Sequence, residues 1–446
     1  MTEPALLTLA QAQEAVRRRE LALEDLVASC MQRIERWQPR VNAFVELFPE
    51  PVNGLPLAHK DMFYRAGRVS NCGSKILRGW VAHETSTALS RLDAAGFGQI
   101  GTLNMSEFAY GPTGHNEHWG DCRNPWDPAS ITGGSSSGSG AAVAARLVYG
   151  ALGSDTGGSV RLPAAACGVT GLKTTWGRVS RAGAMPLSHS LDTIGPLART
   201  AEDCAILLQA IAGHDPLDPI TSRESVSPFK ALSGLKIGTS TAWIERNAHP
   251  EVAAAVLAAV DVFRKSGHQV VEVEPPDFDT LSSHCLVVMG AEASAQHIQW
   301  MRERPQDYGS ATRARLETGY AIPATTYLEV LRLRGKWLKQ FCAQTLKDVD
   351  AYLVPAIAVP VPTREQTGAK GGPDMPKLLA EVTRLTRWVN YLGIPALVAP
   401  CGVDARGLPI ALQLAARPFA EATLLAAGHA FQRATDWHQR IPKEVA

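Results

Sequence analysis

An α/β fold with a largely parallel sheet is predicted for this 446-residue chain by two observations. Short apolar runs alternate with longer helical stretches, and that alternation continues almost from end to end. No segment repeats at a fixed period, so a solenoid or propeller is not indicated. A content of 45% apolar and 20% charged residues is ordinary for a soluble globule, and the length suffices to bury a large core.

The elements follow in order. Leu23, Leu26, Val27, Cys30, Ile34 and Trp37 recur at helical spacing, so the first forty residues carry an apolar face to lay on a core. Apolar runs of strand length fall at 55–58, 99–102, 235–239, 270–273, 352–354 and 396–398. Helical patterns occupy 86–95, 141–149, 201–212, 251–266, 326–346, 378–392 and 420–432. The segments 214–227 and 360–376 are rich in turn residues. They read as surface loops rather than domain boundaries, because strands and helices keep alternating past both.

Charge and cysteine usage narrow the function. Lys and Arg total 44 against 43 for Asp and Glu, a net charge of +1, which argues against nucleic-acid binding through a basic field. No apolar run reaches the roughly 18 residues of a transmembrane helix. The N-terminal stretch lacks the basic and apolar regions of a signal peptide. The eight cysteines are scattered without a C-x-x-C pair, the pattern of reduced, buried thiols, and the expected location is the cytoplasm. His115 and His118 lie in a loop without a zinc-like spacing, so no metal site is expected, and nothing suggests a cofactor.

Residues 130–163, SITGGSSSGSGAAVAARLVYGALGSDTGGSVRLP, are the least ordinary part of the chain. A Gly/Ser cluster precedes a helix, and a short strand leads into a second cluster. Glycines let backbone N–H groups approach a ligand closely, and a helix start attracts negative charge. A P-loop reading fails because Ser139 stands where the lysine is required. A nucleophile-elbow reading of 134–138 lacks the preceding apolar strand. A flexible linker would not flank a good helix. An acyl-transfer site remains, given a base. Lys60 closes the apolar run 55–58, and burial there would favour its neutral amine, a competent base for a hydroxyl. Taken alone, a lysine so placed is more often an ordinary strand-end residue.

Three blocks together resemble the amidase signature family of Ser–Ser–Lys hydrolases: PLAHKD at 56–61, TGGSSSGSGAAVAA at 132–145 and GSDTGGSVRLPAAACGVTGLKTTWGRVS at 153–180. Stretches at 190–204, 393–402 and 407–425 agree, while 240–345 matches only in general character. The resemblance implies a single domain over 1–446, an α/β/α sandwich around a mixed, mostly parallel sheet. Helices at about 1–40 would pack on it, and about 240–345 would form a variable pocket region. It implies Ser159 as nucleophile, Ser135 as bridging serine after a cis Gly134–Ser135 bond, and Lys60 as base. Thr156, Gly157, Gly158 and Ser159 would form the oxyanion hole.

The same resemblance assigns supporting roles. Asp155 and Arg161 would hold the nucleophile loop, and Ser136 would support Ser135 or Lys60. Ser137 and Ser139 read as caps of the following helix. His59 reads as structural, and Asp61 as a partner that orients Lys60 or a bystander. Met105, Tyr110, Gly134 and Met185 are expected at the substrate. Met289, Trp300, Tyr308 and Tyr320 read as core, and arginines in 302–315 as a solvated face or a carboxylate anchor.

The implied function is hydrolysis of a C–N bond in a small amide, anilide, carbamate or carboxylated urea through a Ser acyl-enzyme. Its substrate is a small molecule, without nucleic acid or membrane; many members are homodimers, so the resemblance admits a homodimer here without fixing the oligomeric state. Two other readings stand beside it: the glutamine-hydrolysing subunit of an aminoacyl-tRNA amidotransferase, which needs partners, and a catalytically silent binding member. Intact Lys60, Ser135 and Ser159 argue against the last. The segment 108–128 looks more like stand-alone amidases.

Overall fold

Successive residues of a strand face opposite sides of a sheet, and in this chain both sides are apolar. A computed structural model describes residues 3–368 and 371–445. Leu57, Leu152, Leu397 and Leu412 belong to one buried cluster, and their chain neighbours Ala58, Ala151, Val398 and Ala411 to a second. The sheet therefore lies between two apolar layers, which explains why its strands read as continuous apolar runs rather than as alternation.

Among the described residues eleven strands form that sheet: β1 (Phe44–Leu47), β2 (Leu55–Lys60), β3 (Phe97–Leu103), β4 (Gly150–Asp155), β5 (Thr170–Lys173), β6 (Thr193–Ala198), β7 (Lys236–Thr239), β8 (Gln269–Glu272), β9 (Ala351–Pro355), β10 (Ala396–Val403) and β11 (Pro409–Ala415). Their order is β1-β3-β2-β4-β6-β5-β10-β11-β9-β7-β8. The sheet is mixed, as the resemblance implies, but it is not mostly parallel. Only β2–β3, β2–β4, β7–β8 and β7–β9 pair in parallel. The other six neighbouring pairs are antiparallel. The reason lies in strands that carry weak strand signals. β4 reads Gly-Ala-Leu-Gly-Ser-Asp with no β-branched residue, and β6 and β11 each contain a proline. β11 simply returns beside β10 after a short turn.

Helices cover the layers. Leu23–Val41 presents Leu26 and Cys30 to one cluster and Ile34 and Trp37 to the other, the face its spacing predicts. Ser137–Ala144 is shorter than the predicted 141–149 and starts earlier. It is built of small residues because its neighbours come very close: a Cβ on Gly138 would lie 2.5 Å from the Ala43 carbonyl oxygen. The region 240–345 holds Phe278–Gln296, Ser310–Gly319 and Ala324–Ala343, of which the sequence shows only the last clearly. Within the predicted loop 360–376, Arg364–Thr367 forms a short helix and Met375 begins a longer one; residues 369 and 370 lie outside the described residues.

Two features of this frame position the site. β2 and β4 are parallel neighbours, so Lys60 and Asp155 end adjacent strands on the same side. That is where open α/β sheets place ligands.

Candidate active site

The site begins with Lys60. The parallel pairing of β2 with β3 and β4 buries its side chain completely. Its Nζ lies 2.6 Å from Ser135 Oγ and 2.7 Å from Ser154 Oγ. Neither partner is a carboxylate. Burial therefore brings the Lys60 amine down to about 7, with Asp192 and Asp155 pulling the other way.

Ser135 is also fully buried and follows a cis Gly134–Ser135 bond. Ser159 lies in the turn between β4 and the helix Arg161–Cys167, and its side chain borders a cavity. The Ser136 N–H donates to the Ser159 carbonyl at 3.3 Å, which joins the two Gly/Ser clusters. Ser159 Oγ has no hydrogen-bond partner among the described residues. The chain of contacts thus runs from Lys60 to Ser135 and stops one step short of Ser159. Unliganded hydrolytic sites commonly tighten this step only around substrate.

The loop that carries Ser159 is held by an ion pair sealed from solvent. Arg161 Nε and Nη2 donate to Asp155 Oδ2 at 3.0 Å and Oδ1 at 2.9 Å. The remaining Arg161 donors reach Asn390 Oδ1 at 2.6 Å, Gln413 Oε1 at 2.7 Å and the Thr386 carbonyl at 2.8 Å. Burial alone would raise the Asp155 carboxyl, but the charge and hydrogen bonds of Arg161 hold it well below the usual carboxylate range. Asp155 Oδ1 also accepts the Gly158 N–H at 2.8 Å. That amide is therefore engaged, while the amides of Thr156, Gly157 and Ser159 have no partner among the described residues. Thr156 Oγ1 donates to Asp192 at 2.6 Å, which ties the loop to the segment before β6.

Several predicted neighbours sit elsewhere. Asp61 does not orient Lys60: its carboxylate accepts the Asn71 N–H at 3.2 Å, and Ser154 takes the place beside the amine. Ser136 supports neither Ser135 nor Lys60 through its hydroxyl, which donates to the Ser154 carbonyl at 3.4 Å. Ser137 and Ser139 are not caps; they donate to the carbonyls of Asn104 and Leu152 and pin the helix to its neighbours. His59 accepts the Leu152 N–H at 3.1 Å, a structural contact between β2 and β4. His115 pairs with Asp121 and His118 with Glu107, two separate contacts rather than one cluster.

The cavity at Ser159 has a volume of about 410 Å³. Of the residues expected at the substrate, Tyr110 lines it and Met105 and Gly134 do not. Met105 is wholly core, and a side chain on Gly134 would collide with the Gly111 carbonyl 2.6 Å away. Met185 lines a second cavity, on the side of Ser154 and Asp192. Met289 is buried in the core as read and also lines the Ser159 cavity; Trp300 stacks on Phe108 and Tyr308 is buried against His297, but Tyr320, read as core, is exposed.

Sequence reasoning missed Ser154 and Gln413, although both stand inside the matching stretches 153–180 and 407–425, and it missed Thr386, Asn390 and the cavity-wall residue Arg387, which lie outside them. The only signal was polar residues inside otherwise apolar elements, such as Gln413 in β11 and Asn390 in the helix Met375–Leu392.

Residues 25–425 match the family model described as Amidase. The A subunit of glutamyl-tRNA(Gln) amidotransferase from Nitrosococcus oceani is 34% identical, with 98% of this chain and 99% of that protein aligned. Among solved structures, a chain from a vestigial protein complex bearing on the origins of an s-triazine catabolic enzyme superposes with a TM-score of 0.87 at 34% identity, covering 96% of this chain and 98% of that one. The 6-aminohexanoate cyclic dimer hydrolase complexed with substrate superposes with a TM-score of 0.89 at 25% identity, covering 99% and 100%.

Proposed function

Because the chain belongs to the amidase family, we propose that it cleaves a carbon–nitrogen amide bond by acyl transfer through Ser159, with Ser135 as proton relay and Lys60 as base. The observation that carries this reading is the sealed 2.6 Å contact between Lys60 Nζ and Ser135 Oγ, beside an amine that burial brings near neutrality. A neutral Lys60 accepts the Ser135 proton as Ser135 accepts that of Ser159. Ser159 Oγ then attacks the acyl carbon. The free amides of the Thr156–Ser159 turn meet the oxyanion, and losing one such donor typically costs about 3–4 kcal/mol of transition-state stabilisation. The proton returns through Ser135 to the leaving nitrogen, the C–N bond breaks, and water releases the acid from the Ser159 ester.

Two finer readings share this chemistry. The Nitrosococcus oceani amidotransferase relative aligns over nearly all of both chains, which favours hydrolysis of glutamine by a protein that works with partners. It does so more than it favours a stand-alone hydrolase of a small amide, anilide or carbamate. The structural likeness to the cyclic dimer hydrolase supports the latter, at lower identity. The test is hydroxylamine trapping and intact-mass detection of an acyl-enzyme, with glutamine and with small amides, in wild type and Ser159→Ala. An adduct that forms on wild type and not on the variant supports acyl transfer through Ser159. Equal ammonia release by both would overturn it.

A further inference from the structure

The Ser159 cavity carries two cations without a countercharge. Arg315 and Arg387 both line it, and no Asp or Glu lines it among the described residues. Arg315 Nη1 donates to the Tyr110 carbonyl at 3.0 Å. The Arg387 guanidinium makes no hydrogen bond and no ion pair with any described residue. Its stem lies over the turn before the nucleophile: a Cβ on Gly157 would meet Arg387 Cγ at 3.6 Å and Met289 Cε at 3.7 Å. Arg161, near the site, is by contrast fully employed by Asp155, Asn390, Gln413 and the Thr386 carbonyl.

A sheltered guanidinium without a partner is costly, and two that face one cavity repel each other. An anion seated between them removes both costs, and a carboxylate matches the guanidinium fork in shape. Thr318 and Thr383 also line it, while Leu286, Met289 and Ile322 give an apolar stretch of wall that fits a short hydrocarbon chain. Resting on the acyl-transfer reading above, we propose that the acyl donor is a short amide ending in a carboxylate, held by Arg315 and Arg387, and that an ammonium group on the donor weakens its binding. The pocket offers an ammonium two like charges and no acid. Glutamine thus presents one group that the cavity reads and one that it opposes.

The test compares three amides of similar length: glutaramate, which has the carboxylate alone; glutamine, which adds the ammonium; and pentanamide, with a methyl in place of the carboxylate. The expected kcat/KM for glutaramate exceeds that for pentanamide by about 100-fold and that for glutamine by about 10-fold, the scale on which removing or opposing one sheltered charge pair acts. Arg387→Gln, with a melting curve to verify folding, collapses the glutaramate-to-pentanamide ratio toward unity, and Arg387→Lys restores part of it. Calorimetry of glutaramate on Ser159→Ala gives a readout independent of turnover. Pentanamide turned over as well as glutaramate would overturn the anchor, and glutamine turned over better than glutaramate would overturn the opposition to an ammonium, both while leaving acyl transfer intact. Binding of glutaramate that Arg387→Gln abolishes, with no turnover of any amide, would support the anchor and count against hydrolysis by the isolated chain. Absence of both binding and turnover would overturn the anchor and the reading on which it rests.

Discussion

Lys60 Nζ and Ser135 Oγ meet at 2.6 Å inside the protein, with no water-accessible surface on either side chain and no carboxylate bonded to the amine. The three groups that surround Lys60 in the chain and in space have divided duties. Ser154 completes the amine's hydrogen bonding, Asp61 turns away to Asn71, and Asp155 is committed to Arg161. A lysine kept from its natural counter-ions in this way is a base near neutral pH rather than a fixed cation.

The pH dependence of turnover follows. The neutral amine is the active form, and burial places its titration at about 7. The rate therefore rises as pH increases through that value and levels off above it. A profile of kcat/KM between pH 5 and 9 checks this. Lys60→Met keeps the apolar stem but removes the base, and the expected loss is about 10²–10⁴-fold. Lys60→Arg, always charged, is equally inactive and shows no residual rise near pH 7.

Ser159 and Ser135 are separable by their products. Ser159→Ala removes the atom that carries the acyl group, so no covalent adduct forms at any pH. Ser135→Ala leaves the nucleophile but breaks the path to Lys60. Its acyl-enzyme forms slowly, by about 10²–10⁴-fold, and the rise near pH 7 disappears. Single-turnover mass spectrometry distinguishes the two.

What the sequence reveals of this site depends on chain distance. Lys60, Ser135 and Ser159 are legible because each stands in a short block whose composition departs from the rest of the chain. Tyr110 and Met105 stand in one segment with nothing in the sequence to separate them, yet Tyr110 lines the cavity and Met105 is buried in the core. Arg387 is not legible. Its helix reads as an ordinary amphipathic segment, and only the pairing of β10 with β5 and β11 brings that helix beside the nucleophile turn. The sheet order is hidden for a similar reason. β4, β5 and β6 are short and buried on both faces, so they offer no alternating pattern from which to read direction.

The Asp155–Arg161 pair is a stability element whose loss precedes any effect on chemistry. Asp155→Asn leaves a buried guanidinium without its charge partner, and the expected destabilisation is about 3–5 kcal/mol by urea unfolding. The sign with pH is fixed by the depressed carboxyl. Its contribution is complete above the unfolded aspartate value of about 3.9 and is lost progressively as pH falls below it. In Asp155→Asn that component of acid sensitivity is absent, so the stability difference between wild type and variant narrows below about pH 4.

Gly158 tests whether the turn geometry, rather than the serine alone, supports turnover. Its φ is +130°, and a Cβ there would lie 2.4 Å from Thr386 Oγ1 and 2.7 Å from Thr386 Cβ. Thr386 Oγ1 itself donates to the Gly157 carbonyl at 2.7 Å, so a displaced Thr386 drags the peptide that precedes the nucleophile. Gly158→Ala is expected to lower kcat by about 10²–10³-fold, the range for a lost oxyanion donor, while KM changes little. Adding Thr386→Ala relieves the collision but not the backbone conformation, which L-residues rarely adopt. The double variant should therefore regain only part of kcat. Full recovery would mean that packing alone was at fault, and no recovery would place the whole effect in the backbone.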